Sequence, residues 1–136
     1  MPGSRILIVD DEQIFADTLA QIFRNEGYDS RSVYSAEQAI ETLAEWEPEL
    51  TIVDVMLPGM NGIDLAILLK ANYPNLAVMM ISGQVATGGL VEKAAQQGHE
   101  FYILPKPFPV PDLLWNASKI LGGITDPLPP SSPLVN

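Results

Sequence analysis

Short apolar runs alternate with segments of helical period along this chain, and that alternation limits the fold more than any other feature. The runs Ile6 to Val9, Leu50 to Val55, Leu76 to Ile81 and Phe101 to Leu104 read as buried strands. Tyr28 to Tyr34 is a weaker, more polar strand, as suits the edge of a sheet. Between the runs, Phe15, Leu19, Ile22 and Phe23 recur at i, i+4, i+7 and i+8, which sets one apolar stripe of a helix against a sheet. Gly27 supplies the left-handed stop. Ser35, with Gln38 three residues on, opens a second helix as a capping box; it runs through Ile40 and Leu43 to about Trp46 and is ended by Pro48. Helical patterns also fit Ile63 to Ala71, Leu90 to Gln97 with Gly98 as its stop, and Pro111 to Leu121. Continuously apolar strands that alternate with helices demand parallel pairing, right-handed crossovers and helices on both faces. The expected class is α/β, a doubly wound five-stranded parallel sheet.

Residues 1–121 form the one expected domain. From Gly122 onward Pro127, Pro129, Pro130 and Pro133 accompany a single charge, Asp126, so residues 122–136 read as a proline-rich, disordered tail. The charge balance excludes other classes: seven basic side chains against 17 acidic ones leave a net −10, which repels nucleic acid and anionic lipid. No apolar run approaches the ~20 residues of a membrane span, and the four apolar residues before Asp10 are too short for a signal peptide, so a cytoplasmic location is expected. With no cysteine and one histidine, His99, thiolate and histidine-cluster chemistry are excluded. Carboxylates, hydroxyls and lysines remain.

In an open parallel sheet, ligands bind beyond the carboxyl ends of the strands. The residues there are Asp10, Asp11 and Glu12 after the first strand, Asp54 at the end of the third, Ser82 and Gly83 after the fourth, and Lys106 and Pro107 after the fifth. Gathered carboxylates repel each other, by ~1 kcal/mol per pair at 4 Å in water and ~4 at an effective dielectric of 20. A hard divalent cation such as Mg²⁺ offsets that repulsion and leaves positions open for a phosphate. Lys106 adds a movable positive charge and Ser82 a hydroxyl donor. Asp54 projects alone from the central strand, into a loop that Pro58, Gly59 and Gly62 make tight, and carboxylates are known nucleophiles in acyl-phosphate chemistry.

From residue 4 to about 121 the chain resembles the receiver domain of two-component response regulators. The resemblance rests on Asp10 and Asp11, the run from Asp54 to Gly62, Ser82 with Gly83, and Lys106, Pro107 and Phe108. It implies a flavodoxin-like sheet of order 2-1-3-4-5. It implies phosphorylation of Asp54 by a sensor histidine kinase or histidine phosphotransfer protein, for a downstream effector protein. It further implies Mg²⁺ held by Asp11, Asp54 and the backbone carbonyl of Met56, with Asp10 supporting through water. Ser82 and Lys106 would contact the phosphoryl group, and the bond from Lys106 to Pro107 would be cis. The only catalysis implied is of the chain's own phosphorylation and dephosphorylation. Two features depart from the family pattern. Ser82 and Lys106 are 24 positions apart, a wide spacing, and Ile103 stands three residues before the lysine, where the family places an aromatic. Tyr102 is one residue earlier and points to the opposite face if strand alternation holds.

Other functions compete. A receiver fold can serve as a docking or dimerisation module without phosphorylation. An aspartyl-nucleophile phosphatase wants a second acid where Met56 stands, and a nucleotide site lacks both a P-loop and a Gly-x-Gly-x-x-Gly run. His99, in a turn after Gly98, reads as surface; Asn116, Ala117 and Ser118 match a glycosylation acceptor but lie in a predicted helix. Trp115 falls off the core-facing line of Leu113, Ala117, Ile120 and Leu121, and reads as partly buried.

Overall fold

The computed structural model describes residues 3–83, 96, 98 and 101–122. In chain order the elements are β1 (Arg5–Val9), α1 (Gln13–Asn25), β2 (Asp29–Val33), α2 (Ala36–Glu45), β3 (Leu50–Asp54), α3 (Gly62–Asn72), β4 (Ala77–Ser82), β5 (Tyr102–Pro105) and α4 (Val110–Leu121). The strands form one parallel sheet in the order β2-β1-β3-β4-β5, the expected doubly wound arrangement. Apart from Gln96, which is helical, the predicted helix from Leu90 to Gln97 lies outside the described residues, as do His99 and the chain from residue 123.

Strand alternation divides the core. Leu7, Val9 and Val53 face α2 and α3, packing with Ala39, Leu43, Ile63, Ala66 and Leu69. Ile6, Ile8 and Ile52 face the other way, against Ala16, Leu19 and Phe23 of α1 and Leu113 and Ala117 of α4. Fully burying a side chain the size of Phe23 contributes about 1.5 to 3 kcal/mol, so these two layers hold the sheet between the helices. Asp17 ties α1 to the polar edge strand: its carboxylate accepts from Ser32 Oγ at 2.6 Å and from the Tyr34 hydroxyl at 2.7 Å. Both bonds hold that carboxyl below its ordinary range.

Local signals act as the sequence indicates, with some differences. Gly27 has φ +94° beyond α1 and Gly98 has φ +88°. Ser35 Oγ accepts from Gln38 N at 3.1 Å, but the glutamine amide oxygen returns to Tyr34 N at 2.8 Å, one residue earlier than a capping box requires. Asn61 caps α3, accepting from Asp64 N at 2.9 Å. Strand β4 starts at Ala77, not Leu76, because Leu76 N donates to Tyr73 O at 3.0 Å in the turn leaving α3. Asn116 is fully buried and gives its amide to Asp112 O at 2.7 Å, which closes it to glycosylation. Trp115 is half-buried, with Lys119 Nζ 5.5 Å from its ring.

Candidate functional site

The carboxyl rim of the sheet is assembled by the ends of β1, β3, β4 and β5. Asp10 follows β1, and its Oδ1 accepts from Glu12 N at 2.9 Å. Asp54 ends β3, and its Oδ1 accepts from Met56 N at 3.1 Å. Both aspartates therefore close the same turn, a side-chain oxygen taking the backbone N–H two residues on, so each carboxylate is held just beyond its strand. The loop after Asp54 is tight: Gly59 has φ +74°, Gly62 N donates to Val55 O at 2.8 Å, and a Cβ on Gly62 would stand 1.9 Å from the Asp54 carbonyl oxygen. Only glycine fits there.

Asp10, Asp11 and Asp54 each bring a carboxylate oxygen within 4.8 Å of the others. Asp10 and Asp54 are buried, Asp11 exposed. Lys106, just past β5, crosses to this group. Its Nζ lies 3.0 Å from Asp10 Oδ2 and 3.4 Å from both Asp54 Oδ2 and Glu12 Oε1. Its own N–H donates to Ser82 O at 2.7 Å, which fixes the start of the stem beside β4. Ser82 is buried at the end of β4, one residue beyond Ile81, the partner of Asp54 in the sheet register. The peptide bond from Lys106 to Pro107 is cis.

The electrostatics follow from the burial. Asp54 is pushed up to about 6 from 3.8, first by loss of water and then by the Asp10 charge; the Met56 N–H and Lys106 oppose this without cancelling it. Burial alone would lower the Lys106 ammonium, but the hydrogen bond to Asp10 and the charge of Asp54 carry it above its ordinary value. Among the described residues, Asp10, Asp11, Glu12 and Asp54 face one ammonium, so the rim carries more negative charge than it neutralises.

The structure thus brings Asp10, Asp11, Asp54 and Lys106 into one group, with Ser82 at its edge and Met56 supplying a backbone N–H. The Met56 side chain is exposed. Two further residues belong here. Glu12 reaches Lys106, and Phe15, half-buried on α1, places its ring centroid 4.3 Å from Lys106 Nζ. Phe15 matched the apolar stripe of α1, which masks its second contact; its place one turn beyond the acidic triplet was the available signal. Ile103 and Tyr102 do face opposite ways: Ile103 packs in the α2 and α3 layer together with Phe101, and Tyr102 in the α1 and α4 layer.

Comparison with known proteins agrees with this geometry. The family profile described as "Response regulator receiver domain" matches residues 6–117. The DNA-binding response regulator MtrA of Mycobacterium tuberculosis H37Rv is 36% identical over 110 residues, which cover 81% of this chain and 47% of MtrA. The transcriptional regulator NtrC of Azospirillum brasilense is 32% identical over 93% of this chain and 26% of its own length. The chain spans about half the length of the MtrA proteins it matches, and less of NtrC. Among solved structures, the receiver domain of NtrX from Brucella abortus superposes with a TM-score of 0.76 at 31% identity, over 86% of this chain and 98% of that one. A receiver domain from Methanospirillum hungatei shares the fold at a TM-score of 0.80. Strand order, acidic rim and sequence similarity converge, and the chain belongs to the response regulator receiver domain family.

Proposed function

We propose that Asp54 accepts a phosphoryl group from a phosphohistidine on a sensor histidine kinase or histidine phosphotransfer protein, and that a downstream effector reads the modified state. The observation that carries this reading is the Lys106 ammonium shared between Asp10 at 3.0 Å and Asp54 at 3.4 Å. A cation so placed serves the incoming phosphoryl charge as well as the resting carboxylates. In the transfer, an Asp54 carboxylate oxygen forms a bond to phosphorus while the phosphorus to imidazole nitrogen bond breaks, its electron pair remaining on the ring. The Met56 N–H orients the Asp54 carboxylate, Asp10 holds the ammonium, and the Ser82 hydroxyl donates to a phosphoryl oxygen.

The donor set fits Mg²⁺: three hard carboxylates gathered within 4.8 Å, with Asp54 raised to about 6 by burial first and by the Asp10 charge after it. Asp11, Asp54 and the Met56 carbonyl would hold the ion, with Asp10 behind them. When bound, it supplies charge compensation for the phosphoryl group and its acceptor.

Incubation with Mg²⁺ and a small phosphodonor tests the reading by intact mass. One added phosphoryl group, absent in Asp54→Asn, is expected. No addition in the wild-type protein would favour the phosphorylation-independent docking module instead.

A further inference from the structure

Lys106 has a neighbour that phosphoryl transfer does not require. Its four-carbon stem passes Gly83, where an added Cβ would stand 3.4 Å from Lys106 Cδ, and its ammonium ends 4.3 Å from the centre of the Phe15 ring. Phe15 in turn meets Phe108 edge-on, with ring centroids 6.2 Å apart at 67°. Phe15, Gly83, Lys106, Pro107 and Phe108 line an open depression of about 380 Å³ beside the acidic group. The ammonium is therefore held from two sides, by carboxylates and by the face of a ring, and an aromatic face attracts a cation through its quadrupole.

We propose that Phe15 is a positioning residue for Lys106: its ring holds the ammonium over Asp10 and Asp54 in the resting protein and releases it when Asp54 carries a phosphoryl group. This rests on the acceptor role of Asp54. Release is the displacement of the ammonium toward phosphoryl oxygens that stand further from the ring than the resting carboxylates, a charge-assisted bond there outweighing attraction to a ring face. Phe15 lies in the first turn of α1 and Phe108 precedes α4, so losing the cation between carboxylates and ring alters a contact that joins these two elements. The coupling from site to surface then runs through α1, on the face opposite Ile103.

The test is NMR of the full chain with ¹³C-labelled lysine, Lys106 being assigned by its loss in Lys106→Arg. The Lys106 ε-methylene protons are expected upfield of the other lysines through the ring current, with cross-relaxation to the Phe15 ring. Phe15→Leu should remove the shift and Phe15→Tyr restore it. Mg²⁺ with fluoroberyllate, a phosphoryl mimic, should move the wild-type signal toward its position in Phe15→Leu. Labelling by a small phosphodonor should slow about two- to fivefold in Phe15→Leu and recover in Phe15→Tyr. An unshifted wild-type signal overturns the proposal without any variant, and so does a signal that fluoroberyllate leaves in place in protein whose Asp54 becomes labelled. Absence of labelling on wild-type Asp54 instead overturns the acceptor reading, while the resting signal still decides whether Phe15 holds Lys106.

Discussion

At the amino end of the sheet, Arg5 and Asp29 meet across 4.0 Å with about half of each side chain open to water, 49% and 56%. At the carboxyl end, Lys106 meets Asp10 and Asp54 with 16%, 0% and 8% exposed, and more acids crowd the group than it can neutralise. The first arrangement is a surface pair that water and salt screen, contributing about 0 to 1 kcal/mol. The second takes charges out of water and sets like against like, which costs stability. Among the described residues, a buried cluster of like charges stands at the carboxyl end of the sheet, the kind of costly arrangement that concentrates at functional sites.

Four measurements break or sharpen that contrast. Gly62→Ala should lower stability by about 3 kcal/mol or more in denaturant titration, because the new methyl meets backbone, 1.9 Å from the Asp54 carbonyl oxygen. A loss under ~1 kcal/mol would mean that the acidic rim yields easily, contrary to its hydrogen bonding.

Asp54→Asn should raise stability at pH 7 by about 1 to 3 kcal/mol. With Asp54 at about 6 in the folded chain and 3.8 as its ordinary value, the folded state holds the proton more tightly. Ionisation of Asp54 therefore destabilises the fold as the pH rises from about 4 through 6, and the advantage of the asparagine variant should shrink toward pH 4. Equal stability of both proteins at pH 7 and pH 4 would show that Lys106 already balances the rim.

Mg²⁺ at tenfold its dissociation constant should add about 1.4 kcal/mol, seen as a higher Tm that Asp11→Ala abolishes. The apparent affinity should weaken below pH 6, where protons compete for Asp54. Asp29→Asn, at the other end, should change stability by no more than ~0.5 kcal/mol, and a larger loss would dissolve the distinction between the two ends.

Much of this was legible in the sequence for identifiable reasons. The central strands stand out because burial on both faces makes them almost wholly apolar, and Asp54 stands out because a charge interrupts such a run. The opposed faces of Tyr102 and Ile103 follow from strand periodicity alone. Phe15 was hidden by degeneracy: an aromatic that satisfies the core stripe of α1 gives no sign that one face of its ring meets a cation. Glu12 looked like one more acid after β1, and its contact with Lys106 depends on a stem arriving from 94 residues away. The shifted bond of Gln38 and the cap at Asn61 depend on where the chain enters each helix, which composition does not encode.

The close approach of Gly62 to the Asp54 carbonyl has a mechanical meaning. Strand β3 and the first turn of α3 abut backbone to backbone, with no side chain between them to compress. On the other flank the contact is of a different kind: Lys106 bridges from the end of β5 to the acids across a span of flexible methylenes.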